Sequence, residues 1–176
     1  MSGYELGQLF EASASWVWSA PQSQIYPSLR ELEEKGLVTG EEGMRGTRLR
    51  RVTYSITPAG LDELKAWLRA DHEPPTLRDA VLLQSVFLDM IDPAEADRTL
   101  ARHIAQLKID IGRWEQHRTD LLDHTAPLLR ERLKNRPEED HDRVAALKAH
   151  VFDYLIESAE LRIEWAQRTR DILTGP

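Results

Sequence analysis

The chain has 176 residues, 41% of them hydrophobic, enough for one medium domain or two small ones with a packed core. A formal net charge of −7 argues against a protein that coats nucleic acid along its whole surface, because binding phosphates needs Lys and Arg to displace counterions. The absence of cysteine excludes disulfides, thiolate catalysis and Cys-based zinc or iron–sulfur centres. With no run of eighteen apolar residues and no basic-then-apolar leader, the expectation is a soluble, cytoplasmic protein without a membrane span.

Leu6, Leu9 and Phe10 recur at helical spacing and predict a short amphipathic helix over residues 3–13. An aromatic stretch, 16–21, is broken by Pro21, after which Ile25, Leu29 and Leu32 form one apolar stripe. That second helix stops at Gly36, where a C′ glycine is expected. Residues 39–46 hold Gly40, Gly43 and Gly46 beside two acids, and 49–56 alternate Val52, Tyr54 and Ile56 with Arg51, Thr53 and Ser55. This reads as a hairpin whose second arm is 49–56. Thr57 and Pro58 supply an N-cap and a proline at the first helical position, and Leu61, Leu64 and Leu68 carry the next helix, with Trp67 beside them.

The run from His72 to Thr76 contains paired prolines and reads as a stiff connector. The boundaries follow: a first domain at 1–71, a linker at 72–78 and a second domain at 79–176. In the second, Leu82, Leu83, Val86, Phe87 and Met90 mark a helix, and Asp92-Pro93-Ala94-Glu95 has the form of a capping box opening a long one. Leu100, Ile104, Leu107, Ile111 and Trp114 alternate steps of four and three, a narrow coiled-coil-like seam. Pro127 and later 135–142 interrupt it. A last helix, 142–173, carries two apolar stripes, one through Val144, Leu147, Val151, Tyr154, Leu161, Trp165 and Ile172, the other through Phe152, Ile156, Ala159, Ile163 and Ala166. One helix face cannot hold both, so a second chain is the natural partner for one of them. The fold class is therefore mainly α with a small β-hairpin wing: an N-terminal winged helix-turn-helix followed by an all-α, long-helix dimerisation domain.

The charge is unevenly spread. Residues 1–70 carry eight Lys/Arg against nine Asp/Glu, and 71–176 carry fifteen against twenty-one. Within the first part, 43–57 hold Arg45, Arg48, Arg50 and Arg51 and no acid. Opposite the apolar stripe of the second helix stand Ser23, Tyr26, Pro27 and Arg30, small, hydroxylic and cationic groups at its N-terminal end, next to Gln24. A recognition helix places such groups against base edges and phosphates. A solvated helix face has the same composition. A hairpin studded with Arg45, Arg48 and Arg50 suits a wing gripping backbone phosphates, although arginines near a turn also keep an edge strand soluble.

Three segments, Gly3-Tyr4-Glu5-Leu6, the phrase Ile25-Tyr26-Pro27-x-Leu29-x-x-Leu32-Glu33-x-x-Gly36-Leu37-Val38, and Tyr54-Ser55-Ile56-Thr57-Pro58-Ala59-Gly60, resemble the PadR family of bacterial transcriptional regulators. The resemblance covers residues 3–70; the acidic helical remainder resembles, by pattern and length, the longer C-terminal domain of the subgroup that includes virulence-gene activators. It implies a homodimer joined through the C-terminal helices, bound to a palindromic double-stranded site, repressing more often than activating, and in some members released by a small aromatic effector. It sets Tyr26, Pro27 and Arg30 in the recognition-helix motif and gives Tyr54, Thr57 and Gly60 structural roles; with the helix face and the hairpin, the candidate DNA contacts are Ser23, Gln24, Tyr26, Pro27, Arg30, Arg45, Arg48 and Arg50. Family members carry an apolar helix ahead of the Gly-Tyr-x-Leu segment, and here Met1-Ser2 stand in that place, an arrangement expected to uncover Leu6, Leu9, Phe10 and part of the second helix's stripe.

Other chemistry finds little footing. Trp16, Trp18, Trp114 and Trp165 are candidates to stack on a flat ligand, and equally candidates for packing. The six histidines are dispersed, none forms His-x-x-x-His, and the acidic run 138–142 reads as a weak cation site or as a solvated turn. No cofactor, metal site or catalytic constellation is expected, since no nucleophile-elbow, phosphate-loop or dinucleotide pattern occurs. The competing reading is a helical adaptor or truncated regulator that uses the winged helix and long helices for protein contact.

Overall fold

The structure is a computed structural model; it describes residues 1–13, 21–45, 49–73 and 78–175. The chain divides into two compact units, Met1–Pro75 and Thr76–Pro176.

The first unit opens on a capping box. Ser2 Oγ accepts from the Glu5 amide at 3.3 Å, and the Glu5 carboxylate accepts from the Ser2 amide at 3.0 Å. These bonds start helix α1, Gly3–Ser13. Helix α2, Gln22–Glu34, follows Pro21 in extended conformation and ends at Lys35, with Gly36 in the left-handed region at φ 70°. Only glycine adopts that angle without strain, so the position expected to stop the helix does so.

Strands β1, Val38–Arg45, and β2, Leu49–Ile56, pair antiparallel from Val38↔Ile56 to Arg45↔Leu49. The chain start adds to the outer edge of β2: Ser2 bridges Thr53, and Met1 and Tyr54 exchange backbone bonds at 2.8 and 3.0 Å. Thr57 then caps helix α3, Pro58–Arg69, accepting from the Gly60 amide at 3.0 Å, with Pro58 at the first helical position. Thr57 also donates its hydroxyl to the Gly36 carbonyl and its amide to the Leu37 carbonyl. Gly60 lies so close beneath this turn that a Cβ there would sit 1.9 Å from the Leu37 carbonyl oxygen.

The second unit starts with helix α4, Ala80–Ser85, capped by the Asp79 carboxylate, and a 3₁₀ turn at Leu88–Met90. The single helix expected through Met90 is thus interrupted: the apolar spacing continues, but Phe87 leaves helical geometry at φ −121°, ψ 14°. Asp92 caps α5, Pro93–Leu122, through the Ala94 amide at 2.9 Å. At its far end His124 takes φ 57°, and the Thr125 amide reaches back to the Asp120 carbonyl at 2.8 Å, a Schellman-type stop. Helix α6, Pro127–Leu133, and a 3₁₀ turn at Glu138–Asp140 lead into α7, His141–Thr174.

α5 and α7 form the body of this unit. Arg170 pairs with Asp97 at 2.6 Å and Arg118 with Asp153 at 2.5 Å, which makes the two helices antiparallel. Leu100 and Ile104 of α5 are buried against Ala166, Ala96 and Leu88, and Ile163, Trp165 and Leu173 pack on the same cluster. On α7 the buried side chains are Val144, Ala145, Ala149, Phe152, Ala159 and Ala166. Small alanines along this stripe let the helices approach closely. The other predicted stripe is split: Val144 is buried and Trp165 packs on the Leu100 cluster, whereas Leu147 is 63% exposed, Tyr154 70%, Leu161 62% and Ile172 81%. No helix among the described residues is long and apolar enough to cross a membrane.

Candidate nucleic-acid interface

α2 has a divided charge and a divided surface. Leu29 is 5% exposed and anchors the helix against α1, while Ser23, Gln24, Tyr26, Pro27 and Arg30 are exposed. At 100° per residue, Ser23, Tyr26, Pro27 and Arg30 fall within an arc of about 100°. Arg30 is the helix's single cation, and its three acids, Glu31, Glu33 and Glu34, all come after it. The N-terminal half is therefore free of negative charge, and the macrodipole adds positive potential there. Among the described residues no side chain caps the first turn, where the Gln24 amide bonds the Pro21 carbonyl at 2.9 Å. Pro27 lies inside the helix and lacks the N–H that would bond the Ser23 carbonyl, which leaves an acceptor on the same face.

The acids at the far end are engaged elsewhere. Lys35 pairs with Glu31 at 2.6 Å, an exposed pair that lowers the Glu31 pKa through the lysine's hydrogen bond. Glu33 Oε1 accepts the Gly40 amide of β1 at 2.9 Å. Glu34 remains exposed one turn beyond Arg30.

Tyr26 has two surfaces. It is 52% exposed, yet a Cβ at Gly3 would meet its ring at 2.8 Å, so the start of α1 lies flat against it. The sequence reading singled out its outward side and missed this contact; a glycine directly preceding a tyrosine in α1 was the only hint.

In the hairpin, Arg45 sits at the end of β1, and Arg50 and Arg51 stand in β2 opposite Met44 and Gly43. The backbone thus gathers these arginines at the tip, whereas Glu41 and Glu42 occupy the rungs below. Arg48 lies outside the described residues, as do Trp16 and Trp18.

Between α1 and α2, Leu6, Phe10, Gln24, Ile25, Ser28, Leu29 and Leu32 border a groove of about 300 Å³. Leu6 and Leu32 are each 37% exposed there, so part of the α2 stripe is uncovered.

The tryptophan candidates of the second unit do not converge. The α5–α7 ion pairs set Trp165 level with residues near 104, about ten residues or ~15 Å along the helix pair from Trp114. Trp165 packs on the Leu100 cluster. Trp114 Nε1 is covered and, among the described atoms, makes no hydrogen bond; the same holds for His103 Nε2. Burial lowers the pKa of His103, with Arg162 acting in the same direction. No three-residue His/Asp/Glu group suited to a metal ion occurs among the described residues; within the acidic run, Asp140 pairs with Arg143 at 2.6 Å.

Residues 1–66 match the Transcriptional regulator PadR-like family. The chain is 35% identical over 97 residues to the negative transcriptional regulator PadR of Bacillus subtilis, a stretch that covers 54% of this chain and 53% of that relative. The chain's match thus spans about half the length of that curated relative. Among solved structures it superposes on Bacillus subtilis PadR in complex with operator DNA with a TM-score of 0.76 at 22% identity, over 98% of this chain and 89% of that one. It also superposes on the same regulator in complex with p-coumaric acid, with a TM-score of 0.71 at 21% identity, over 98% and 90%. The fold is shared across both units.

Proposed function

We propose that this chain, whose residues 1–66 match the PadR-like family, is a sequence-specific DNA-binding repressor. It acts as a homodimer on a palindromic duplex. The observation that carries this reading is the exposed arc of Ser23, Tyr26, Pro27 and Arg30 on the acid-free half of α2, beside a hairpin with arginines at its tip. In this reading Ser23, Gln24, Tyr26, Pro27 and Arg30 meet the major groove, and Arg45, Arg48 and Arg50 meet phosphates of the adjacent backbone. Residues 72–78 link this domain to the dimerisation domain, 79–176.

The dimer is supported by the outer stripe of α7. Leu147, Tyr154, Leu161 and Ile172 stand exposed along α7, and monomeric proteins rarely leave a large contiguous apolar patch in water. A second copy of the same helix would cover it isologously. A small aromatic effector completes the proposal: a solved relative holds p-coumaric acid, and the covered, unpartnered Trp114 N–H offers a donor to such a ligand.

Two substitutions test the DNA assignment. Arg30→Ala removes a base contact and is expected to cost roughly 1–3 kcal/mol of affinity and relax preference at one position of the site. Arg48→Ala removes a phosphate contact, weakens all sequences alike, and lowers the salt slope by about 1. Binding titrations on matched and mismatched duplexes at several salt concentrations separate the two. Identical behaviour of both variants would refute the assignment.

A further inference from the structure

The wing hairpin is held at one rung, Gly40↔Tyr54. Tyr54 turns its amide and carbonyl away from β1, toward the amino group and carbonyl of Met1. In an antiparallel ladder this makes Gly40↔Tyr54 a non-hydrogen-bonded rung, so the Gly40 amide also points outward, on the opposite edge. There it meets the Glu33 carboxylate of α2 at 2.9 Å. The two edges of the hairpin are therefore caught at the same level, one by the chain start and the other by the helix that carries the candidate base-reading groups.

We propose that Glu33 is a positioning residue that fixes the direction of the wing relative to α2 through the Gly40 amide. This rests on the DNA-binding reading for its consequence and on the rung geometry for its substance. The glycine is part of the device. A Cβ at residue 40 would lie 2.6 Å from Glu33 Oε1, 3.0 Å from Val52 and 3.2 Å from the Tyr54 ring, so any side chain there expels the carboxylate from the edge. Beyond this rung and the adjoining Ser2↔Thr53 bridge, the described part of the hairpin shows no further backbone bond to another element. A rotation about the rung thus moves the arginine-bearing tip by the full length of the remaining strands. The acid also answers a question about charge. A carboxylate on a DNA-reading helix repels phosphate, and its capture by a strand amide gives it a task that offsets the repulsion.

The test compares Glu33→Gln with Glu33→Ala in the full chain. Both remove the negative charge, but glutamine keeps an acceptor oxygen at the same reach. Amide hydrogen exchange at Gly40 is expected to stay slow in the glutamine variant and to accelerate about tenfold or more in the alanine variant, with the melting temperature little changed in either. The salt slope of DNA affinity is expected to fall in Glu33→Ala and in Gly40→Ala, and to hold in Glu33→Gln. Combining Glu33→Ala with Gly40→Ala should add nothing further, because both break one contact. Equal Gly40 exchange in the two Glu33 variants would overturn the tether. Accelerated exchange in a protein that shows no DNA affinity would leave the tether standing and remove the regulator reading instead.

Discussion

The two units reach a fixed geometry by different means. In the first, the buried residues among those described are Leu29, Ser2 and three glycines, Gly3, Gly7 and Gly60. Its shape is set by backbone bonds and close approaches: Thr57 to Gly36 and Leu37, Met1 to Tyr54, Glu33 to Gly40, Gly60 beneath Leu37. The second buries a continuous apolar seam between α5 and α7 and pins its register with ion pairs. Burial supplies most of the driving force in folding and tolerates adjustment, while hydrogen bonds and steric fit supply direction. In the proposed reading, the unit that presents side chains to DNA relies on the second kind and the unit that holds a second copy relies on the first.

Substitutions can break this contrast. The largest effect is expected from Leu100→Ala in the seam, where the side chain is 1% exposed; a cavity there should cost roughly 2–5 kcal/mol in denaturant unfolding. The first unit should be barely touched. Gly60→Ala should do the reverse, costing the first unit roughly 1–3 kcal/mol, because the methyl group collides with backbone that cannot move aside cheaply. If Gly60→Ala proved neutral, the first unit would be adjustable and the contrast would fail.

A smaller effect sharpens the picture of the second unit. The Arg162 guanidinium and two backbone amides hold the Asp79 carboxyl at about 2, below its ordinary 3.8. A depressed carboxyl contributes stability above its unfolded pKa and loses it as pH falls through the folded one. Because Arg162 is 35% exposed, solvent screening limits the contribution to about 1 kcal/mol. Asp79→Asn should therefore unfold more easily than the parent at neutral pH, with the difference shrinking as pH drops from 3.8 toward 2. A constant difference across that window would mean the charge contributes nothing.

Much of the fold was legible because its signals are local. Thr57-Pro58, Gly36, Asp92-Pro93 and the seam residues Leu100 and Ile104 each act through their own backbone or through helical spacing, and the elements fall where those residues predict. The helix expected through Met90 broke after Ser85 because apolar periodicity reports which face is greasy and not whether the backbone stays helical at Phe87. The two stripes of α7 could be listed from sequence, but not that the buried face draws on both, with Val144 covered and Trp165 packing beside Ala166 on Leu100 and Ile104. The outward face of α2 was readable as a face. The Glu33–Gly40 tether was not, since a glutamate and a glycine seven residues apart carry no joint pattern until the chain turns at Gly36.

The central claim is that this unit reads DNA sequence as part of a two-fold dimer. Selection of bound duplexes from a randomised pool, with the full chain at moderate salt, tests it most directly. The expected result is enrichment of a two-fold symmetric sequence whose half-sites lie about one helical turn, or a multiple of it, apart, bound with an affinity that falls steeply as salt rises. A pool that leaves the selection unenriched, with no site preferred over bulk duplex, would contradict the account.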